Sequence, residues 1–361
     1  MTQLSSEKDA SPAAATPPGA EASGRVAADA VLQHTSRQAR AVSLLREAAL
    51  LPVVVLLIIV GALVSNVFLT VSNFSGIGLQ ASALGVVVVG ESLIIMIGGM
   101  DLSLEGTYGL APMVAAWLIV PVAAFGSGAD LNPYIGILIL LLVGALVGAF
   151  NGLLIVKGGL NAFIVTLGMT IVLAGLQNGI VKAQTLFSLP NTFSYLGSAY
   201  WGQVPVSLVV TVIIFVGVGL FLRYHRGGRA IYAVGGNAEA ARAAGINVDR
   251  VKIGVYVAGS VLAAIGGLME AGRVSAVTGQ QGYQEGIIFT VFAAAVIGGV
   301  SLAGGKGNMV GAATGVVLLS LVQNILDLAN VSNYWILAIY GGVILIGLAV
   351  SRMIGGKTSQ G

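Results

Sequence analysis

Four polar side chains interrupt one apolar stretch near the end of the chain at positions i, i+3, i+4 and i+7: Ser320, Gln323, Asn324 and Asp327. On an α-helix this spacing places all four on one face. Such a face offers many hydrogen bonds and little net charge, which suits an uncharged, hydroxyl-rich solute. The alternative is a structural role, in which polar side chains bond across neighbouring helices for about 0.6 to 2 kcal/mol each. For Gln323, Asn324 and Asp327 we favour a solute pathway or a docking site.

A second apolar stretch carries Thr166, Thr170 and Gln177 on one face, with Asn178 beside it. Gln177 and Asn178 lie toward the same predicted end of the molecule as the first polar face. We therefore include both in a candidate pathway, together with Asn161 near the start of the stretch. We interpret Thr166 and Thr170 as residues that hydrogen-bond across helices.

Two acidic residues stand in or beside apolar sequence. Glu91 lies within VVVVGESLII, where an ionised carboxylate is costly, so it is protonated, paired within the protein or exposed to a wet cavity. Asp101 and Ser103 follow the glycine pair in GGMDLS, a pattern typical of the cap that begins a helix. Glu91, Asp101 and Ser103 complete the candidate pathway.

The elements that position these residues follow from composition. The chain has 361 residues, of which 57% are hydrophobic and 9% are charged, and its mean hydropathy is +0.96. Four intervals between charged residues are uncharged for at least 24 residues, whereas about 20 suffice to cross a bilayer. The two-residue alternation of a membrane β-barrel is absent. These features predict an all-α, polytopic membrane protein embedded in a lipid bilayer.

Ten membrane spans fit the sequence. We place them at 50–70, 78–98, 104–125, 133–156, 160–181, 204–222, 253–272, 286–303, 308–329 and 334–351. With a cytoplasmic N-terminus, fifteen of the 17 Lys and Arg residues fall inside, leaving Lys182 and Arg273 outside. This bias predicts that both termini are cytoplasmic. The sequence leaves open whether 95–106 is a loop or a break within the membrane.

The ends of the chain differ from its middle. Residues 1–46 are rich in Ala, Ser, Pro and Thr and predict a disordered cytoplasmic tail rather than a signal peptide. A transmembrane domain follows at 47–352, and 353–361 form a second cytoplasmic tail. Cys is absent, so thiolate metal sites and disulfides are excluded. The formal charge of +3 is too small to indicate a nucleic-acid partner.

Glycine and aromatic patterns add packing expectations. The ladders Gly144/Gly148/Gly152 and Gly307/Gly311/Gly315 have the spacing that lets helices approach closely. We interpret both as packing within the bundle, with a homodimer contact as the alternative. The aromatic residues between 187 and 201 suit a belt at the outer membrane surface.

The longest predicted cytoplasmic loop, 223–252, contains GGNAEAARAAGINVDR. Gly235 and Gly236 are expected to break the chain, Asn237 to cap a two-turn helix, Glu239 to occupy its first turn and Gly245 to end it at C′.

The predicted helix has an alanine face formed by Ala240, Ala241 and Ala244. An isolated helix this short is marginal in water, below the ~12 to 15 residues usually required, so something must hold it. A partner protein is one candidate, with Glu239 and Arg242 beside the alanine face; a solvated loop is the other.

Glu239-Ala240-Ala241-x-x-x-Gly245 resembles the EAA motif of ABC importer permeases. Three further stretches, IMIGGMDLSLEG, GLNAFIVTLGMT and VIGGVSLAGGKGNMVGAATG, extend the similarity over about residues 50–352. Together they resemble the ribose-type family of bacterial monosaccharide permeases.

The resemblance implies a permease subunit in the bacterial plasma membrane. Its partners would be a separate ABC ATPase that uses ATP and Mg, a soluble sugar-binding protein and a second permease copy. The ATPase contact would fall on Asn237, Glu239, Ala240, Ala241, Arg242 and Gly245.

No nucleotide site of its own is predicted for this chain. Gly356-Lys357-Thr358 ends like a phosphate-binding loop, but Ser351 stands where the first glycine is required. His34 and His225 belong to no catalytic or metal-binding set. We therefore expect a non-enzymatic transport subunit without a bound cofactor.

Two alternatives stay open. A secondary transporter or channel would work without an ATPase, with Glu91 as its protonatable or cation-binding group. An ABC permease could instead carry a polyol, a signalling furanose or an amino acid. The near-absence of charge along the candidate pathway disfavours strongly ionised solutes.

Overall fold

The computed structural model describes residues 52–283 and 286–332, together with positions 335, 338, 339, 341, 342 and 345, which are helical. The tails predicted at 1–46 and 353–361 lie outside these residues, as does most of the tenth predicted span. The α-helices in the described part of the chain are α1 Pro52–Val64, α2 Val71–Met96, α3 Leu104–Ile119, α4 Pro133–Val156, α5 Ala162–Val181, α6 Asn191–Ser198, α7 Val206–Tyr224, α8 Arg226–Gly236, α9 Ala238–Ala243, α10 Val248–Val274, α11 Ile287–Ile297 and α12 Met309–Leu328. A 3₁₀ turn, Val122–Ala124, and an antiparallel pair of two-residue strands, β1 Tyr200–Trp201 and β2 Val204–Pro205, complete the described elements.

Within the described residues, six helices are long and apolar enough to cross a membrane: α2, α4, α5, α7, α10 and α12. The described part of the chain is therefore mostly helical and has six candidate membrane spans. The helices α1, α3 and α11 are shorter in their described parts. For α4, the observed bounds Pro133–Val156 coincide with the predicted span.

Two helices begin earlier than their apolar sequence indicates. The side chain of Thr70 accepts a hydrogen bond from Asn73 N at 3.3 Å, and α2 starts at Val71 rather than near 78. Similarly, the Asn247 side chain accepts from Arg250 N at 3.0 Å, so α10 includes a charged first turn. Hydropathy locates the membrane-compatible part of a helix, whereas polar caps decide where it starts.

Two helices end before the predicted spans do. The helix α3 stops at Ile119 because Val120 precedes Pro121 and adopts an extended conformation. The helix α11 ends at Ile297, six residues before the predicted boundary, since Gly299 turns the chain with φ +87°.

The helix α10 lies at the centre of the described fold and contacts α2, α3, α4 and α6. The glycine ladder of α4 faces it: a Cβ at Gly144 would lie 2.9 Å from the Ser260 carbonyl oxygen, and one at Gly152 would lie 3.1 Å from Ile253 Cα. Gly148 approaches the α10 backbone in the same way. The prediction of packing within the bundle is confirmed for this ladder.

The second glycine ladder packs α12 against α11. A Cβ on Gly311 would collide with the carbonyl oxygen of Gly298, and one on Gly315 would collide with that of Ala294. Gly307 precedes α12 with φ +148° and lies against Val300. The interhelical contacts of this ladder are again within the chain.

The aromatic residues between 187 and 201 surround α6 and the β1–β2 pair. Four of them are exposed, as a surface belt requires: Phe187, Tyr195, Tyr200 and Trp201. Phe193 is buried in an apolar cluster with Leu268 and Ala271, so its assignment to the belt is wrong.

Candidate functional site

The short helix predicted in the 223–252 segment is present as α9, Ala238–Ala243. The Asn237 side chain accepts a hydrogen bond from Ala240 N at 2.9 Å, so it is the N-cap. Glu239 lies in the first turn and is exposed. A carboxylate at this place favours the helix dipole. The predicted start of the helix is confirmed.

The other end of α9 closes with a Schellman motif. Gly245 adopts φ +82° and donates from its backbone N to Arg242 O at 3.0 Å. Ile246 N donates to Ala241 O, also at 3.0 Å. These two bonds satisfy carbonyls that a helix end otherwise leaves free. Gly245 therefore has the C′ role that the sequence predicts.

The predicted alanine face is split between the two sides of α9. Ala241 is 3% exposed and belongs to the main apolar cluster of the chain, whereas Ala240 and Ala244 are exposed. The single face is therefore wrong, because Ala241 lies about a third of a turn from Ala240. Ala241 anchors the helix, and the opposite side presents Ala240 with Glu239.

Charged residues also attach the segment to the bundle. Arg242 and Asp249 form an ion pair at 3.1 Å, and Lys157 reaches the other carboxylate oxygen of Asp249 at 2.6 Å. The basic side chains are mostly exposed, so water screens each pair and its contribution to stability is small. This arrangement shows what holds so short a helix: its caps, Ala241 and these contacts from its own chain.

Gly235 and Gly236 do not break the chain as predicted. They form the last turn of α8, which begins after His225, whose ring Nδ1 accepts from Gly227 N at 3.0 Å. Gly235 is instead a place of close contact with Met96: a Cβ there would collide with the Met96 carbonyl. The helix α8 ends at Gly236, and the non-helical Asn237 separates it from α9.

Tyr232 ties α8 to another part of the chain. Its hydroxyl donates to Gly307 O at 2.8 Å, just before α12. Burial raises the pKa of Tyr232 above its ordinary value, which keeps the hydroxyl a donor. The sequence does not single out this tyrosine.

A buried polar cluster occupies the connection between α2 and α3, here called the break (97–103). Asp101 Oδ1 accepts from Ser103 N at 2.8 Å and from the Ser103 hydroxyl at 2.6 Å, and Asn151 Nδ2 donates to that hydroxyl at 2.7 Å. All three side chains are fully buried. Ser103 is the N-cap residue of α3 but makes no side-chain capping bond, so the capping oxygen predicted there belongs to Asp101.

Glu91 belongs to the same cluster. It is fully buried on α2 and approaches the backbone amide of Asp101, although neither carboxylate oxygen makes a well-aligned hydrogen bond. Tyr256 on α10 lies near both carboxyl groups, with its hydroxyl 3.5 Å from Met100 O. Neither acidic residue forms an ion pair with a described Lys or Arg.

A second buried polar cluster lies between α3, α5 and residues 275–283. Gln177 is fully buried and donates from Nε2 to Thr278 O at 2.9 Å. Gln281 donates to Gly267 O at 3.0 Å, and the Tyr283 hydroxyl donates to Thr170 O at 3.0 Å. Gln177 Oε1 has no protein partner among the described residues. The hydrogen-bonding groups named here are uncharged and leave one free acceptor. The buried Glu105 borders them, since a Cβ at Gly282 would lie 3.6 Å from Glu105 Cγ.

The fold-back of residues 275–283 is absent from the sequence predictions. Ser275 ends α10 with φ +56°, and Val277 forms two backbone hydrogen bonds with Leu186 at 2.9 and 3.0 Å. The turn at Ser275 and the pairing of Val277 with Leu186 form only in the folded chain, and the local sequence carries no signal for either. Asn151, in contrast, could have been found, since it interrupts the apolar run 133–156.

The remaining candidates on α5 have local roles. Asn161 is the exposed N-cap, accepting from Ile164 N at 3.3 Å, and Asn178 donates to Ala174 O within its own helix at 3.0 Å. Asn161 therefore stands at the end of α5 opposite Gln177.

The hydroxyls of Thr166 and Thr170 also bond within α5. They donate to carbonyls four residues earlier, at 2.9 and 2.8 Å. The predicted bonding across helices is therefore wrong for these two side chains. A threonine hydroxyl in a helix reaches the preceding turn more readily than a neighbouring helix.

The polar face of α12 divides in two. Asn324 exchanges side-chain amide hydrogen bonds with Asn73 on α2, at 3.0 and 2.9 Å. Gln323 donates to Asp327 at 2.9 Å on the more exposed side, while Ser320 is buried. Asn324 thus has the interhelical structural role, and Gln323 with Asp327 stays a candidate for contact with solute or partner.

The two buried clusters share one chemical property. The described atoms without a hydrogen-bond partner are mostly acceptors: carboxylate oxygens of Glu91 and Asp101, and amide oxygens of Asn151 and Gln177. Buried acceptors without donors are costly. A solute that supplies hydroxyl donors would satisfy them.

Comparisons with known proteins find related permeases. The family described as "Branched-chain amino acid transport system / permease component" matches residues 73–348. The ribose import permease protein of Escherichia coli K12 is 34% identical over 315 residues, covering 86% of this chain and 94% of the relative. That of Bacillus subtilis 168 is 32% identical over 299 residues, covering 82% and 90%.

The similarity extends to permeases with another named solute. The galactose/methyl galactoside import permease protein of Salmonella typhimurium LT2 is 31% identical over 313 residues, covering 83% of this chain and 93% of the relative. No solved structure matches the chain.

Proposed function

This chain belongs to the permease-component family of bacterial ABC importers, and from that membership we propose that it carries a monosaccharide of the ribose or galactose kind across the plasma membrane. It is a multi-pass inner-membrane transport subunit rather than an enzyme. A separate ABC ATPase drives it, holding ATP and Mg²⁺ on its own residues.

The observation that carries the proposal is the geometry of α9. A six-residue helix in water is marginal, yet here it is capped at both ends and anchored by Ala241. Its free side presents Glu239 and Ala240. A rigid, exposed helix end is what a motor protein needs in order to move the bundle. We propose that the ATPase binds this side, with Arg242 and the closing Gly245 beside the contact.

The charge distribution supports a cytoplasmic position for α9. Lys157, Arg242 and Asp249 form one cluster, and the sequence places all three on the cytoplasmic side. We propose ten spans with both termini in the cytoplasm. The shorter helices α3 and α11 then cross together with the non-helical segments that continue them, as in transporters with interrupted helices.

The path for the solute is proposed to run between the two buried polar clusters. Gln177 and Gln281 contribute neutral amides in one, and the break contributes Asp101, Ser103 and Asn151 in the other. Transport requires two states that expose these groups to opposite sides in turn. ATP binding and hydrolysis shift the balance only if the ATPase contacts α9 differently in the two states.

Two further partners belong to the proposal. A soluble sugar-binding protein delivers the solute outside the cell, and a second copy of this chain completes the pathway. The apolar residues on the surface of α5, among them Ile164 and Ile171, each 68% exposed, suit lipid or that second copy.

An amino acid is the second candidate solute, because the matching family is described by branched-chain amino acid transport. A zwitterion requires a fixed charge for each of its ends. The buried residues that the structure describes include the acidic Glu91, Asp101 and Glu105, but no Lys or Arg that could pair with the carboxylate of an amino acid. Competition of unlabelled ribose, galactose and leucine against labelled ribose uptake separates the two solute classes.

The coupling role is tested by Glu239→Gln in cells that also make the ATPase and the binding protein. We expect uptake and ATPase co-purification to fall while membrane insertion is unchanged. Asp130→Asn is the matched control, because Asp130 is exposed and belongs to the connection between α3 and α4. Full uptake by Glu239→Gln would contradict the proposed coupling. ATP-independent accumulation in vesicles that contain this chain alone would instead favour a secondary transporter.

A further inference from the structure

Four glycines from three separate segments meet where α2 ends: Gly98, Gly235, Gly304 and Gly305, here called the glycine junction. Gly305 N donates to the Met96 carbonyl at 2.8 Å. A Cβ at Gly235 would collide with that same carbonyl and would lie 2.6 Å from Gly305 N. One at Gly304 would lie 2.7 Å from Gly235 O and 3.0 Å from Gly98 N. Three stretches of backbone are therefore in direct contact.

Glycine is required here for conformation as well as for space. Gly98, Gly304 and Gly305 have φ values of +74°, +80° and +68°, in the region that other residues enter only at a cost. Because no side chain separates the three backbones, a displacement of one cannot be absorbed by a change of rotamer. Close-packed contacts of this kind transmit strain.

A side-chain hydrogen bond joins the same segments a second time. Tyr232 lies one turn before Gly235 on α8, and its hydroxyl donates to Gly307 O at 2.8 Å. The helix α8 is thus fixed to the connection between α11 and α12 through Tyr232 and the junction. It is fixed to the end of α2 through the contact of Gly235 with Met96.

The junction connects α9 with the buried polar side chains of the break. On one side, Asn237 alone separates α8 from α9. On the other side, four residues separate Met96 from the buried Asp101, whose neighbours include Ser103 and Asn151. A displacement of α9 is therefore passed to the break over a short distance, through direct contacts between backbone atoms.

We propose that Gly235 and Tyr232 are positioning residues that transmit the movement of α9 to the break between α2 and α3. The proposal rests on the proposed function, since it presumes that an ATPase moves α9. In this view the glycine junction makes α8 and the end of α2 move together, and the Tyr232 bond adds the start of α12 to the moving unit.

The test uses the full importer, with the ATPase and the binding protein, reconstituted in proteoliposomes. The measurement is labelled ribose taken up per ATP hydrolysed. Gly235→Ala is compared with Gly236→Ala, because a Cβ at Gly236 meets nothing within 4 Å. Tyr232→Phe is compared with Tyr224→Phe, since Tyr224 is 65% exposed.

We expect Gly235→Ala and Tyr232→Phe to retain ATPase co-purification and ATP hydrolysis while uptake per ATP falls. Loss of one hydrogen bond corresponds to about a two- to tenfold effect for Tyr232→Phe, and a larger fall is expected for Gly235→Ala. Both control variants should match the unaltered importer. A purely structural role would lower the amount of assembled complex without changing uptake per ATP.

Uptake per ATP equal to that of the unaltered importer in Tyr232→Phe overturns the proposal for Tyr232. The same result in Gly235→Ala, or an equal fall in Gly236→Ala, overturns it for Gly235. If Gly235→Ala does not assemble, Tyr232→Phe, which leaves the ring in place, decides the whole proposal. Absence of ATP-driven uptake by the unaltered importer would count against the proposed function itself, so the two failures are distinguishable.

Discussion

Asn73 on α2 and Asn324 on α12 face each other and exchange two side-chain amide hydrogen bonds, at 3.0 and 2.9 Å. Asn73 also donates to Phe68 O at 2.9 Å, so the pair links α12 to the turn before α2. Each amide satisfies the other, and the pair forms a closed polar contact between apolar helices.

The Asn73–Asn324 pair predicts that Asn324→Leu destabilises the protein, although leucine has a similar volume to asparagine and is more apolar. The substitution leaves Asn73 partly buried with an unpaired amide oxygen, at a cost of about 1 to 3 kcal/mol. The double variant Asn73→Leu/Asn324→Leu should recover part of the loss, because neither side-chain amide is then left without its partner and only Phe68 O loses a donor. Unfolding in mixed detergent micelles measures both. A double variant whose loss equals the sum of the single losses would show that the two side chains are not coupled.

The described helices show which features the sequence can predict. The caps of α9 could be assigned because Asn237 and Gly245 act on backbone groups within a few residues of themselves. The bounds of α4 follow from a long apolar run begun by an asparagine cap and Pro133. Where the determinants are local, residue type and spacing suffice.

The two buried polar clusters could not be predicted, because they depend on contacts between residues that lie far apart in the sequence. Gln281 reaches Gly267 and Tyr283 reaches Thr170 only because residues 275–283 fold back into the bundle. The pair Gly235-Gly236 looks like a chain break in the sequence. Glycine is required at position 235, however, because the backbone of Met96, far away in sequence, leaves no room for a Cβ. Helical periodicity identified polar faces, yet it could not tell a bond to the preceding turn, as at Thr166, from one to a neighbour.

The backbone of Gly245 predicts a local loss of stability in Gly245→Ala. An alanine at φ +82° costs about 1 to 2 kcal/mol, which weakens the closing bond from Ile246 N to Ala241 O. Hydrogen exchange of the α9 amides should therefore accelerate by roughly tenfold, since 1.4 kcal/mol corresponds to a factor of ten.

Gly254→Ala is the matched control for this change. Gly254 lies inside α10, and a Cβ there meets nothing within 4 Å. The substitution should be neutral or stabilising, as alanine is the better helix former. Unchanged exchange in Gly245→Ala would mean that the Schellman motif does not limit the opening of α9.

The free acceptor on Gln177 predicts a binding defect in Gln177→Leu. Leucine conserves approximate volume but removes the buried amide, whose Oε1 has no described partner. If the solute donates a hydroxyl hydrogen bond to this oxygen, the KM for uptake should rise about two- to tenfold. Asn178→Leu is the control, because Asn178 bonds within its own helix. A KM equal to that of the unaltered protein in Gln177→Leu would exclude this oxygen from the path.

The surroundings of the two buried carboxyl groups predict opposite effects on stability: none or a gain when Glu91 is neutralised, and a loss when Asp101 is truncated. Both are fully buried, and neither has an ion-pair partner among the described residues. Glu91→Gln removes one potential charge and conserves shape. Since uncompensated buried charge is costly, thermal stability in detergent should be unchanged or higher.

Asp101→Ala should instead lower the stability by about 1 to 3 kcal/mol, because Ser103 then loses the acceptor of its backbone N and of its hydroxyl.

Measuring both stability and uptake in Glu91→Gln separates a structural Glu91 from one that exchanges protons during transport. A structural Glu91 leaves ATP-driven uptake intact as glutamine, whereas a proton-exchanging one loses uptake at full stability. Lower stability in Glu91→Gln would contradict the argument, since it would show that the ionised carboxylate is held by a partner that the described contacts do not include.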